Sequence, residues 1–229
     1  MQIEARIIPG TEEKMSSFYT RYYPNEKEDS PNKSRVSLRR RLHTVADGLP
    51  ENPTVLDLGA GRQIFEREYI RAYGRRGLRF ISVDIAGISS RNLLSESFVP
   101  HVRASGSQLP FRDGVFDVAV SSMALDFMPP GAILETKRVL KPGGKLLLNL
   151  HHPSLVQAKL EDLSGRKRLS QRSQDVLDFF KYLRDHKILQ ESVDQIHQVF
   201  GGHGFKVERA AEASDGLDKW WEVDMRRVR

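Results

Sequence analysis

The sequence predicts an α/β fold, doubly wound, with a mostly parallel sheet and helices on both faces. Three observations predict it. Residues 54–62 (TVLDLGAGR) are a short apolar run that stops at two glycines one residue apart. Residues 79–84 (RFISVD) are a second apolar run, ended by an acid. Further runs of this kind alternate with segments whose apolar residues recur at helical spacing, the pattern of strands joined by crossover helices.

Taken in order, residues 1–30 carry Tyr19, Tyr22 and Tyr23 before Pro24, and Pro31 closes a polar stretch, so they read as a short helix or arm followed by a loop. Val36, Leu38, Leu42, Val45 and Ala46 mark one side of a helix that starts near Ser34 and ends at Gly48, with the basic run 39–41 turned mostly to solvent. The first strand follows. Gly59 and Gly61 let its end turn sharply, and the missing Cβ atoms leave room for a ligand to approach the backbone. Phe65, Tyr69 and Tyr73 then recur at helical spacing before Gly74, in a helix that points its N-terminal amides at that ligand.

Asp84 ends the second strand 23 positions after Gly61. That is near the roughly 20-residue offset at which an acid accepts hydrogen bonds from a ribose diol, so an adenosine-containing cofactor is expected. A third strand is short, 100–103, and Asp113-Gly114 turns into a fourth, 116–121. A helix over 131–140 and a turn at Pro142-Gly143-Gly144 lead to a fifth. Residues 153–190 are inserted before a helix around 193–200, and within them Val176, Phe180 and Leu183 line one face of a helix while Lys181, Arg184 and Lys187 lie elsewhere around it.

The glycine motif narrows the cofactor. Residues 59–64 (GAGRQI) put Ile64 where a dinucleotide fingerprint needs its third glycine, and no G-x-x-x-x-G-K-[ST] run is present. A nicotinamide- or flavin-dependent oxidoreductase is therefore a distant alternative.

The chain resembles the class I S-adenosylmethionine-dependent methyltransferases through four motifs in family order: 55–61 (VLDLGAG), Val83-Asp84, 109–117 (LPFRDGVFD), and 139–145 (VLKPGGK) leading into 146–150 (LLLNL). A looser match covers 204–209 and 219–225, similar to the family's closing antiparallel hairpin. The resemblance implies a seven-stranded sheet with an antiparallel C-terminal strand, S-adenosyl-L-methionine as cofactor, and a lid over the acceptor in 153–190, for which a membrane-surface helix or a nucleic-acid patch is the alternative. It implies cofactor contacts from Asp57, Gly59, Ala60, Gly61, Asp84, Ile85, Ser105, Gly106 and Ser121. Two positions depart from the family pattern. Gln63 stands where a third glycine commonly follows Gly61, so the turn is expected to sit tighter against the cofactor's amino-acid end. Ser105 stands where an aspartate often reads the adenine amino group, an acceptor without charge assistance.

Composition sets bounds. At 229 residues the chain is expected to be a single domain, with 1–50 as N-terminal arm and helix. A content of 39% hydrophobic and 29% charged residues is that of a soluble protein, no apolar run approaches the roughly 20 residues of a membrane span, and no secretory h-region opens the chain, so a cytoplasmic location is expected. The absence of cysteine removes thiolate attack on a pyrimidine ring, iron–sulfur radical methylation and a thiolate zinc site, and no metal is expected. The net charge of +6 permits an acidic partner. It is concentrated at 35–41 and 166–172, outside the cofactor motifs, which points to substrate; the bland alternative is a solvated basic surface.

Methyl transfer from a sulfonium is an in-line displacement that needs the acceptor held collinear with methyl and sulfur, and its proton removed where it has one. In an open α/β sheet this happens beyond the carboxyl ends of the strands. Residues 121–127 (SSMALDF) and 151–153 (HHP) occupy such places. His152 is the first candidate for a base or substrate orienter, His151 the second, and Asp126 is placed to pair with a histidine or hold a substrate donor. Backbone hydrogen bonding at a strand end is the competing role for each histidine. Tyr19 and Tyr22 are either cofactor covers or packing residues. An Asn/Asp-Pro-Pro-Tyr-like motif, which the resemblance associates with amide or exocyclic base nitrogens, is missing after the fourth strand, which favours an oxygen, carbon or amine acceptor on a small molecule. RNA or protein methylation through the basic clusters and a non-catalytic binding module are the alternatives.

Overall fold

A computed structural model of the chain describes residues 32–74, 77–86, 99–129, 131–185, 190–216 and 218–228. The arm with Tyr19, Tyr22 and Tyr23 lies outside the described residues. The elements are α1 (Lys33–Ala46), β1 (Thr54–Leu58), α2 (Ile64–Tyr73), β2 (Arg79–Asp84), β3 (His101–Arg103), β4 (Phe116–Ser122), a 3-10 turn (Leu125–Phe127), α3 (Gly131–Val139), β5 (Leu140–His151), α4 (Pro153–Ser164), α5 (Gln171–Asp185), α6 (Val193–Gly202), β6 (Phe205–Asp215) and β7 (Asp218–Arg227).

The seven strands lie in the order β3-β2-β1-β4-β5-β7-β6. β1 to β5 are parallel and β7 is antiparallel to both β5 and β6. The strand order reverses between β1 and β4, so the carboxyl ends of these two strands open the crevice where such sheets take ligands.

Side-chain alternation builds a core on each face. Leu56, Leu58, Ala119, Leu146 and Leu148 pack with Ala132, Val139, Ile196 and Phe200 of α3 and α6. Val55, Val118, Val120 and Leu147 pack with Leu38, Leu42, Phe65 and Tyr69 of α1 and α2. Asp57 lies on the α2 face of β1, between Leu56 and Leu58, which join the opposite core. No described helix is long and apolar enough to cross a membrane.

Three expectations change. Lys141-Pro-Gly-Gly is an irregularity inside β5 rather than a turn before it: pairing jumps from Phe116 with Leu140 to Val118 with Lys145, and Gly143 has φ 78°. The insertion holds two helices, α4 and α5, which share a small apolar cluster of Val156, Leu160, Leu163 and Leu177, with Val176 and Phe180 against it. The side chain of Leu183 is outside the described set.

The basic run in α1 is the third change, because Arg39 and Arg41 face protein and only Arg40 of the three is exposed. Arg41 donates from Nη2 to the Leu148 carbonyl at 2.9 Å and to Asn149, and from Nη1 to the Val223 carbonyl at 3.3 Å and to Asp224. Arg35 and Arg39 reach Glu68 of α2 at 3.4 and 3.3 Å. Burial lowers the Arg41 pKa, opposed by Asp224 and Glu222, yet the group stays a cation at any physiological pH. α1 is thus riveted to β5 and β7 by one guanidinium. Arg41→Met is expected to lower stability by about 3–5 kcal/mol in urea unfolding, because Asp224 and two carbonyls lose their donor; a loss below about 1 kcal/mol would contradict this role.

Candidate active site

The bend after β1 is made by positive backbone φ at Gly59 (77°), Gly61 (52°) and Gln63 (60°). Gly59 and Ala60 donate to the Val83 carbonyl at 2.8 and 3.1 Å, tying the bend to β2. Gly61 N–H then donates to Asp84 Oδ2 at 2.8 Å, while Ala86 N–H donates to Asp84 Oδ1 at 2.8 Å. The Asp84 carboxylate therefore sits against the glycine bend at the end of β2. α2 starts directly behind it, with its N-terminal end at the bend, where a helix dipole favours negative charge.

Several predicted cofactor residues have protein partners of their own. A Cβ at Gly59 would lie 2.4 Å from Ala124 Cβ and 3.0 Å from Met128 Cε, and one at Gly106 would lie 2.6 Å from Met128 Sδ. These glycines let the segment after β4 close onto β1 and the β3 loop, a reason beyond the ligand clearance read from the sequence. Ser121 Oγ donates to the Leu58 carbonyl at 2.8 Å and braces the fork between β1 and β4. Asp57 is buried beneath the bend rather than beside the groove. Ser105 Oγ accepts from Ser107 N–H at 3.1 Å, and the Ile85 carbonyl accepts from Arg103 Nε at 3.3 Å.

Gln63 keeps the left-handed conformation that its glycine counterpart would adopt, and its side chain explains how. Fully buried, its amide donates to Ser82 Oγ at 2.9 Å and to the Val99 carbonyl at 3.0 Å, away from the groove.

At the ends of β4 and β5 the two histidines part company. His152 caps α4: Nδ1 lies 2.7 Å from Ser154 Oγ and accepts from Ser154 N–H at 3.2 Å. That bond assigns the proton to Nε2, which faces Glu212 Oε2 at 3.3 Å, and the ring leans on Trp221 with centroids 4.7 Å apart. Burial lowers its pKa, opposed by Glu212. Both ring nitrogens are committed.

His151 is different. Asp126 Oδ2 accepts from His151 N–H at 2.7 Å and lies 3.0 Å from Nδ1, which fixes Nδ1 as donor and leaves Nε2 with a lone pair. Phe127 lies against the imidazole at 4.3 Å and belongs to the apolar cluster of α4 and α5 on its far side. The insertion thus holds the ring through one phenylalanine. Phe127 was missed as a site residue because its contact is formed only by folding.

Also missed was Glu66, fully buried on the inner face of α2. Its signal was present: it shares a helix face with Tyr69 and Tyr73, three and seven residues on, where a charged side chain is out of place. Among the described residues no group of three His, Asp or Glu side chains is placed to hold a metal ion.

A family described as "Methyltransferase domain" matches residues 56–148, the run from β1 to β5. Over that run the chain is similar to S-adenosylmethionine-dependent methyltransferases. The chain is 35% identical over 106 residues to an uncharacterized methyltransferase of Mycobacterium sp. (strain JLS), covering 44% of this chain and 39% of that protein. It is 28% identical over 193 residues to the ubiquinone/menaquinone biosynthesis C-methyltransferase UbiE of Shewanella oneidensis, covering 78% of this chain and 76% of that one. The fold resembles that of Burkholderia thailandensis 1,6-didemethyltoxoflavin-N1-methyltransferase, solved with bound 1,6-didemethyltoxoflavin and S-adenosylhomocysteine, at a TM-score of 0.68 and 13% identity over 99% of this chain and 94% of that one.

The donor set fits S-adenosylmethionine: a carboxylate bonded by two backbone N–H groups stands at the place suited to a sugar diol. The left-handed Gln63 completes the bend. Gln63→Ala strands Ser82 and the Val99 carbonyl and is expected to lower stability by about 2–3 kcal/mol in chemical denaturation. Gln63→Gly should recover about 1 kcal/mol of that loss by removing the cost of a left-handed Cβ. Equal stability of Gln63→Ala and the parent protein would contradict the assignment.

Proposed function

We propose that this protein transfers a methyl group from S-adenosylmethionine to an oxygen, carbon or amine nucleophile of a small molecule, with His151 as the base that takes the acceptor's proton. The observation that carries this reading is the His151–Asp126 pair at the carboxyl ends of β4 and β5. The cofactor, when bound, supplies an electrophilic methyl on a cationic sulfur. Asp84 and the bend from Gly59 to Gly61 would hold its sugar and amino-acid ends, with Ile85, Ser105 and Gly106 flanking the base.

His151 Nε2 faces the acceptor with a lone pair because Nδ1–H is spent on Asp126. When Nε2 takes a proton, the ring becomes a cation whose other N–H already points at a carboxylate, so Asp126 stabilises the charge as it forms. Phe127 fixes the plane of the ring. This favours acceptors that must shed a proton, such as a hydroxyl, an acidic carbon or a protonated amine. The relatives' names accord with small-molecule acceptors, one a carbon and one a ring nitrogen.

The RNA or protein reading loses its main support, because Arg39 and Arg41 are largely buried on Glu68 and Asp224, with Arg35 beside them. Of the remaining basic segment, 166–172, residues 166–170 form the exposed turn between α4 and α5, where Arg166 pairs with Asp162. The same internal pairing weakens the case for an acidic substrate.

The test is turnover. Phenols, quinols, amines and a metabolite extract are offered with methyl-labelled S-adenosylmethionine, and labelled product is followed. His151→Asn is expected to lower kcat by about 10²–10⁴-fold, with S-adenosylhomocysteine affinity changed only a few-fold. Asp126→Asn should also cut kcat, by freeing the ring to adopt the wrong tautomer. No labelled product from any acceptor, or an undiminished rate in His151→Asn, would overturn the proposal.

A further inference from the structure

Beneath the bend, one layer below Asp84, lies a row of polar side chains on the α2 face of the sheet. Asp57, Ser82 and His101 are register partners across β1, β2 and β3. Gln63 and Glu66 of α2 close over them: Gln63 donates to Ser82 Oγ, and Ser82 Oγ donates to Glu66 Oε1. Ser82, the neighbour of Asp57 in the sheet and bonded to Glu66, thus brings the two carboxyls to one place. Yet Asp57 Oδ2 and Glu66 Oε2 are both buried and without a donor among the described residues. Two carboxylates cannot bond each other, whereas a carboxylic acid and a carboxylate can.

We propose that Asp57 and Glu66 share one proton beneath the glycine bend, and that they act as positioning residues whose proton lets Asp84 remain charged at the cofactor site. Without it, three carboxylates would converge on one water-poor layer. The groups that face the pair are few. Among the described residues, Arg67 on α2 is the nearby cation, Asp84 on β2 adds like charge, and His101 on β3, with both ring nitrogens buried and without a partner, is held neutral by burial. Burial accordingly pushes both carboxyls above the usual carboxylate range; Asp57 goes the further because the charges of Glu66 and Asp84 add to its burial, whereas the bonds to Ser82 and Asp57 hold Glu66 back.

The sign follows from linkage. A carboxyl whose folded pKa is raised binds a proton in the folded protein that the unfolded chain releases, so stability falls as pH rises from the unfolded value towards the folded one. Cofactor affinity falls above that point, when the second charge appears under the bend. The inference rests on the cofactor reading of the bend and not on His151, so it can fail while methyl transfer stands.

Glu66→Gln is the discriminating variant. Its amide can donate to Asp57 and its carbonyl can accept from Ser82, so the pair never carries more than one negative charge. S-adenosylhomocysteine is titrated calorimetrically into both proteins from pH 6 to 9.5, and thermal unfolding is followed over the same range. At pH 6–7 the two should bind within a few-fold of each other. On the alkaline side the parent protein should lose affinity by up to about tenfold per pH unit while Glu66→Gln stays flat. Glu66→Ala, with neither donor nor acceptor, should bind weakly throughout. Superimposable profiles of the parent and Glu66→Gln, flat or falling, would overturn the proposal.

Discussion

The hydrogen bond from Gly61 N–H to the Asp84 carboxylate joins segments that the sequence keeps 23 residues apart, and the site depends on it. It requires a backbone that turns left at Gly59 and Gly61, because only then does the Gly61 amide face β2 rather than solvent. It requires an ionised acid at the end of β2, since a charged acceptor bonds an amide about twice as strongly as a neutral one. It also fixes where a ligand's hydroxyls would be met, before any ligand arrives. Much else in the α2 face can be understood as support: Gln63 holds the turn where glycine would be the easier choice, and the layer below is kept from accumulating charge.

The parts of the fold written in local patterns were readable from the chain. β1 alternates Val55 and Asp57 against Leu56 and Leu58, and it stops at glycines with positive φ. α2 ends at Gly74 because that residue takes φ 70° and closes the last turn onto Ile70. The strand order followed from the motif order through a family likeness rather than from periodicity. Residues with long-range partners were not readable. Arg41 binds Asp224 across 183 positions, and nothing near Arg41 in the sequence distinguishes it from a solvated arginine.

The two histidines show the same limit at the site. Adjacent in sequence, they follow one strand and precede one proline, so chemistry alone could not rank them. Strand alternation separates them. His151 is the last residue of β5 and turns to Asp126 and Phe127, whereas His152 leaves the strand, caps α4 and spends both nitrogens on Ser154 and Glu212. The residue first favoured from the sequence became a helix cap, and its neighbour became the candidate base. Glycine positions teach a related point: Gly59 and Gly106 are needed for protein packing against Ala124 and Met128, in addition to whatever a ligand requires.

The most direct measurement is calorimetric titration of S-adenosylhomocysteine into the wild-type protein and into Asp84→Asn. That substitution removes the charge and turns either an amide N–H or a weaker acceptor toward the Gly61 and Ala86 amides. The account predicts saturable binding by the wild type and at least about a tenfold weaker affinity in Asp84→Asn, the equivalent of one lost charge-assisted hydrogen bond. Equal affinity in the two proteins, or no binding by the wild type, would contradict it.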